Sequence, residues 1–198
     1  MSKYRIFLHP RYVWSSRNNY QGDEMLATHL DAEKRYSTIR KEALAAATEV
    51  VQGAGNNSIR LSEIDAQALL AFRSWEKSRT RVKDWDWIEG YNSFRFRYPK
   101  RFEIALWENN NLIGLSMGRP TYQGSALRLD VVEAAPLDIG DRPSIFDSVL
   151  VAYGIYARLL NAKQIRIMNP VNKEVISYYE KFGYRYVAGG NYLSKEVL

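Results

Sequence analysis

Between Gln164 and Tyr184 the chain spells out a strand, a short helix, a glycine stop and a second strand in quick succession. Gln164-Ile165-Arg166-Ile167-Met168 alternates apolar with polar as a half-buried strand does, and Asn169-Pro170 ends it because proline has no amide to give a ladder. From Asn172 the apolar positions Val175, Ile176, Tyr178, Tyr179 and Phe182 fall at helical spacing. Gly183 follows where a chain leaving a helix needs a positive φ, and Tyr184, Tyr186 and Val187 open the next strand.

The rest of the chain can be read the same way. Tyr4 to Trp14 mixes apolar and basic residues and breaks at Pro10. Asp23 then caps a long amphipathic pattern in which Met25, Leu26, Leu30, Ile39, Ala43, Ala47 and Val50 recur every three or four residues. This helix either packs along the main domain or pairs with another copy, which makes a homodimer an option. Gly53-Ala54-Gly55-Asn56-Asn57-Ser58 is a clear break, so 1–58 reads as an N-terminal extension and 59–198 as the main domain. After it come a short strand at Ile59-Arg60-Leu61 and a helix from Ala66 to Lys77 with Leu69, Leu70, Phe72 and Trp75 as its buried candidates. A less regular helical stretch follows around Trp85 to Phe94. A hairpin turns at Glu108 to Asn111, and a strand carries Leu127, Leu129 and Val131 opposite Arg128 and Asp130.

At 198 residues and 46% hydrophobic, the chain can bury a core without staples. With no cysteine it has no disulfide framework, thiolate zinc site or cysteine nucleophile. No apolar stretch approaches the roughly 20 residues that cross a bilayer, and Ser2-Lys3-Tyr4-Arg5 lacks a signal-peptide pattern, which argues for the cytoplasm and against a membrane partner. His9 and His29 have no carboxylates at metal-ligand spacing, so both read as structural and no metal is expected. The net charge of +6 favours polyanions. From Arg73 to Arg101, basic residues interleave with Trp75, Trp85, Trp87, Tyr91, Phe94, Phe96 and Tyr98. Such a segment can contact tRNA or DNA, or it can turn its aromatics into a core and its charges to solvent.

The Asn172 to Tyr184 segment resembles the C-terminal signature of the GNAT superfamily of acyl-CoA-dependent N-acyltransferases, in which an asparagine opens a helix that carries a tyrosine and ends in Lys-x-Gly-aromatic. The resemblance covers roughly Ile59 to Leu198. It implies an α/β (α+β) fold with a mixed, mostly antiparallel central sheet flanked by helices, in the order β, α, α, β, β, β, α, β, α, β. It also implies that Asn172 contacts the coenzyme and that Tyr179 protonates the departing thiolate. Acetyl-CoA or a close relative is then the acyl donor, met by the fourth strand at Val131 and Val132.

The loop after that strand departs from the superfamily's glycine-rich pattern. Ala134-Ala135-Pro136 leads into Leu137-Asp138-Ile139-Gly140-Asp141-Arg142-Pro143-Ser144, where Gly140 and Ser144 match and Ile139, Arg142 and Pro143 do not. Pro143 removes an amide donor, and Asp138 and Asp141 bring negative charge where a pyrophosphate should sit. Arg142 can replace part of the lost cradle, since a guanidinium holds two phosphate oxygens. The coenzyme set is therefore Val131, Val132, Gly140, Asp141, Arg142, Ser144, Asn172 and Tyr179. A helix is expected from Ser144 to Leu160 with Ile145, Val149, Ala152, Tyr156 and Leu159 on one face. Asp130 is the first choice of general base, with Glu133 and Glu103 behind it; for Asp130 an ion pair with Arg119 is the competing reading. The function implied is transfer of an acetyl or related group to an amine, for which the basic surface makes a nucleic-acid-linked acceptor an option beside a protein amine or a small polyamine-like molecule. The alternative is a GNAT-fold protein that binds nucleic acid or protein, or that uses another donor.

Overall fold

The computed structural model describes residues 22–81, 85–137 and 145–197, with the backbone alone for 22–27. A long helix α1 (Gly22–Gly53) leads to β1 (Ile59–Ser62), α2 (Ala66–Glu76) and α3 (Glu89–Arg97). Then come β2 (Phe102–Glu108), β3 (Asn111–Pro120), β4 (Ala126–Ala134), α4 (Phe146–Leu159), β5 (Gln164–Met168), α5 (Lys173–Glu180), β6 (Arg185–Val187) and β7 (Tyr192–Glu196). The seven strands form one mixed sheet in the order β1-β2-β3-β4-β5-β7-β6, antiparallel except for β4 against β5. The last strand goes beyond the element order read from the sequence. Asn191, in the left-handed region at φ 47°, folds the chain back so that β7 fits between β5 and β6.

Each face of the sheet has its own core. On one face, Phe102, Ile104, Leu106, Leu127, Leu129, Val132, Ile165, Ile167 and Leu193 pack under α1, α4 and α5. On the other, Ala105, Trp107, Leu115, Met117 and Val131 pack under α2 and α3. The segment 1–58 contributes to the first core through α1, whose Ala43, Leu44, Ala47 and Val51 are buried there.

The inward stripe of α1 differs from the sequence expectation. Leu30 is 65% exposed and Val50 is 52% exposed, while Val51 points in. Arg40 holds a place in the stripe, 1% exposed, because Glu33 and Glu63 neutralise it at 2.6 and 2.8 Å. In α2, capped by the Asp65 carboxylate on the Ala68 amide at 2.8 Å, Ala68, Phe72 and Trp75 are buried. Leu70 is exposed, one residue off that stripe. Leu159 likewise faces outward from α4, where Phe146 and Tyr153 join Val149, Ala152 and Tyr156 inside. Among the described residues no helix is long and apolar enough to cross a membrane.

Candidate active site

The site begins with an irregularity in β4. Met117 of β3 pairs with Val131 and Gly118 with Leu129, so Asp130 is an extra residue with no partner across the ladder. Such a bulge bends its strand and re-aims the side chains around it. Here it brings Val131 round to the α2–α3 face with Asp130, whereas simple alternation put Val131 with Leu129. The trace in the sequence is the doublet Val131-Val132, which breaks the period of two. The close approach also requires glycine at 118, where a Cβ would stand 1.8 Å from the Arg128 carbonyl oxygen and 2.9 Å from the Tyr153 hydroxyl.

Beyond the bulge β4 leaves its parallel neighbour. Pairing with β5 runs from Ala126 opposite Gln164 to Leu129 opposite Ile167 and stops. Among the described residues the backbone of Val131 to Ala134 then has a ladder on the β3 side only, and Asp130 at the bulge has none. Backbone groups facing the opening between β4 and β5 are thus available to a ligand, and any contact from Val131 or Val132 is through main chain, since both side chains are buried.

Tyr179 lies in α5 on the α4 side of the sheet. Asn172 starts that helix as its N-cap, its Oδ1 accepting from the Val175 amide at 2.9 Å, which leaves the side-chain amide N–H groups for other partners. Gly183 ends the turn after it at φ 82°. The Tyr179 ring is fully buried, with Phe146, Tyr178 and Tyr184 edge-on at 5.6, 5.6 and 5.9 Å. Its hydroxyl has no hydrogen-bond partner among the described residues. Burial, reinforced by Tyr184, Tyr178 and Tyr153, holds the phenol well above its usual range. Tyr178 of α5 and Phe182 in the turn after it are half-buried packing residues, as their spacing suggested. Tyr153 of α4, which spacing alone did not single out, accepts from Ser116 at 3.3 Å and reaches the Phe102 carbonyl at 3.5 Å.

Asp130 stands at the bulge with its side chain 4% exposed. Arg128 donates to Oδ1 through two nitrogens at 3.0 and 2.5 Å, and Arg119 is 3.7 Å from Oδ2. Burial pushes its carboxyl up, partly offset by the two arginines. The ion pair weighed from the sequence therefore exists, with Arg128 as the tighter partner. Glu133 accepts from Arg81 at 2.6 and 3.2 Å and from the Trp87 indole at 2.7 Å, which commits it to tethering the α2–α3 segment. Glu103 is bound by Arg101 at 2.8 and 3.3 Å, which in turn holds Glu33 of α1. Neither is a free base.

Of the coenzyme set, Gly140, Asp141, Arg142 and Ser144 lie outside the described residues. Val131, Val132 and Asp130 come together on the open part of β4, and Asn172 and Tyr179 are joined by α5. In the Arg73 to Arg101 segment, Trp75, Trp87, Tyr91 and Phe94 belong to the α2–α3 core, while Arg81 and Arg101 are buried in ion pairs. Phe96 is exposed. The core reading accounts for most of these aromatics. Among the described residues no group of three ligating side chains could hold a metal ion.

No protein-family model and no curated protein matches the sequence. Solved structures match its fold. A variant of the spermidine N-acetyltransferase SpeG from Vibrio cholerae aligns over 71% of this chain and 94% of its own, with TM-score 0.50 and 14% identity. The ribosomal-protein-S18-alanine N-acetyltransferase from Escherichia coli aligns over 70% of this chain and 94% of its own, with TM-score 0.51 and 13% identity. Ard1 from Thermoplasma volcanium aligns over 71% and 99%, with TM-score 0.52 and 15% identity. The chain therefore has the GNAT fold, a likeness of backbone carried by the mixed sheet and its flanking helices.

Proposed function

We propose that the chain is an N-acyltransferase that moves an acetyl or closely related group from acyl-CoA to an amine. The observation that carries this reading is the Tyr179 hydroxyl, buried without a partner among the described residues in a GNAT fold whose β4 and β5 part beside a bulge. Leaving a buried hydroxyl without a hydrogen bond costs stability, and a catalytic role is one reason for a fold to keep such a group. The donor supplies an activated acyl carbon and a thiolate leaving group. Tyr179 keeps its proton at neutral pH and can hand it to that thiolate. Asp130 can accept the proton of the attacking amine, directly or through water, and burial strengthens it as a base. Main chain from Asp130 to Ala134 can orient the acyl group by hydrogen bonding. Asn172 would contact the coenzyme through its side-chain amide, and Gly140, Arg142 and Ser144 would hold its pyrophosphate together with the main-chain amide of Asp141, Arg142 making up for missing loop amides and offsetting the Asp141 carboxylate.

The acceptor is an amine on an anionic carrier, which the net charge of +6 would attract. A cytoplasmic location goes with this reading. A second reading is a GNAT fold kept for binding alone. It is favoured by the full burial of Tyr179 and by the hold of Arg128 on Asp130. Thermal unfolding with acetyl-CoA, propionyl-CoA and free CoA separates the two. A ligand at 100 times its Kd should add about 2.7 kcal/mol of stability. Absence of any shift at millimolar concentration selects the binding protein.

A further inference from the structure

On the α2–α3 side of the sheet the strand registers line up arginines across the strands. Arg119 of β3 is opposite Arg128 of β4, Arg128 is opposite Arg166 of β5, Arg166 is opposite Ser194 of β7, and Ser194 is opposite Arg185 of β6. Paired residues share a face, so the four guanidinium stems stand in one row, spanning roughly 19 Å at about 4.8 Å per strand step. Two residues further along the strands, roughly 6.6 Å away, Met168, Tyr192 and Val187 form a second row on the same face by the same registers.

Among the described residues no helix lies over this half of the face. Among the described residues the α2–α3 core contains nothing from β5, β6 or β7, while Ile165, Ile167 and Leu193 point to the other side. Arg185 is exposed, Arg166 is half-buried, and the Arg119 and Arg128 side chains are 20% and 23% exposed. Asp130, two residues beyond Arg128, reaches back to Arg128 and Arg119 at one end of the row, and Glu196 stands beside Gln164 further along β7. Arg119 lies over Tyr98 at 4.0 Å and Arg166 over Tyr192 at 4.8 Å, so two of the cations are already braced by aromatic rings. Tyr122, in the β3–β4 turn next to Arg119, is fully exposed.

A cationic track with an apolar, aromatic track beside it suits one kind of partner. Single nucleic-acid strands offer phosphates along one edge and base faces along the other, and proteins bind them with basic grooves and stacking side chains. An acidic peptide would match the arginines but would not call for the Met168–Tyr192–Val187 row. We propose that this face takes a single nucleic-acid strand, with phosphates on the arginine row and bases over the apolar row. The strand leads to the opening between β4 and β5. The inference deepens the acyltransferase reading by naming the anionic carrier of the acceptor amine, and rests on that reading only for what the strand is delivered to.

Fluorescence anisotropy with a labelled single-stranded RNA of mixed sequence tests it on the full chain. The affinity should fall linearly with salt on logarithmic axes, with a slope near −0.7 per phosphate contacted. Arg166→Ala combined with Arg185→Ala should flatten the slope by about 1.4, and Arg185→Ala alone, at an exposed position, by about 0.7. Tyr192→Leu should weaken binding roughly tenfold or more without changing the slope. Arg95→Ala with Arg97→Ala on α3 should change neither. Failure of the wild type to bind overturns the proposal. So does equal binding of a duplex or a polyglutamate peptide, or a slope indifferent to Arg166 and Arg185. The coenzyme shift is read separately. Strand binding without it upholds this surface and removes the acyltransferase reading, and a shift without strand binding does the reverse.

Discussion

Tyr179 shows how a single residue can be costly to the fold and useful to the site. Its ring packs against Phe146 and Tyr184 in the core, but its hydroxyl is buried without a partner among the described residues. Replacing such a group by an apolar one of the same shape is neutral or stabilising. Tyr179→Phe should therefore leave the melting temperature unchanged or raise it, by the equivalent of about 1 kcal/mol. In the acyltransferase reading it should also cut turnover by about 100- to 10,000-fold with coenzyme affinity preserved. Unchanged turnover would make Tyr179 a packing residue. Gly118 is a position of the opposite kind. A Cβ there would overlap the Arg128 carbonyl at 1.8 Å, so Gly118→Ala should destabilise by about 1–3 kcal/mol or more as β4 is pushed off its register. Chemical denaturation measures the loss. An unaltered midpoint would mean that the bulge tolerates a different pairing.

At the scale of elements, α1 is held by packing and by an ion network that crosses to the sheet. Glu33 accepts from Arg40 at 2.6 Å and from Arg101 at 2.6 and 2.9 Å, and Arg101 also holds Glu103 of β2. Burial pushes the Glu33 carboxyl up, but the guanidiniums of Arg101 and Arg40 outweigh this and hold it below its ordinary value near 4.5. For a carboxylate whose folded value is depressed, the stabilisation is present above the unfolded value and is lost as pH falls through the folded one. Stability should thus decline on acidification below about pH 4.5, and Glu33→Gln should shrink that decline while lowering stability at neutral pH. Unfolding midpoints measured across that range check both signs. Arg40 and Arg101, each 1% exposed, should be the more damaging sites to truncate: loss of Arg101 leaves the buried Glu103 carboxylate without its guanidinium, and loss of Arg40 empties a place in the core and takes the partner of Glu63.

On the scale of the whole molecule, one sheet divides two cores and α1 is an integral part of one of them. Ala43, Leu44, Ala47 and Val51 pack with Ile104, Leu106 and Val149 in a single cluster. A chain beginning at Ile59 would expose that face of β1, β2 and α4. It should be insoluble or lack the cooperative thermal transition of the full chain. Circular dichroism on the two decides, and a cooperatively folded 59–198 piece would show that the core closes without α1.

The local signals were plain in the sequence. The Pro170 stop, the helix opening at Asn172, the period of α5 and the positive φ of Gly183 are set by residues within a few positions of one another, and all occur as read. The mixed sheet followed from the resemblance those residues carry. What the sequence could not state depended on register between distant strands. The Asp130 bulge arises from how β4 meets β3, and it decides which side of the sheet Val131 joins. The stripe of α1 shifted because a buried Arg40 is satisfied by Glu33 and Glu63, a pairing that periodicity cannot weigh. The basic, aromatic stretch from Arg73 to Arg101 drew attention through composition, yet tertiary packing turned most of its rings inward and two of its arginines into ion pairs. The arginine row is the reverse case. Arg119, Arg128, Arg166 and Arg185 are scattered along the chain and unremarkable one by one, and only the order β3-β4-β5-β7-β6 sets them side by side.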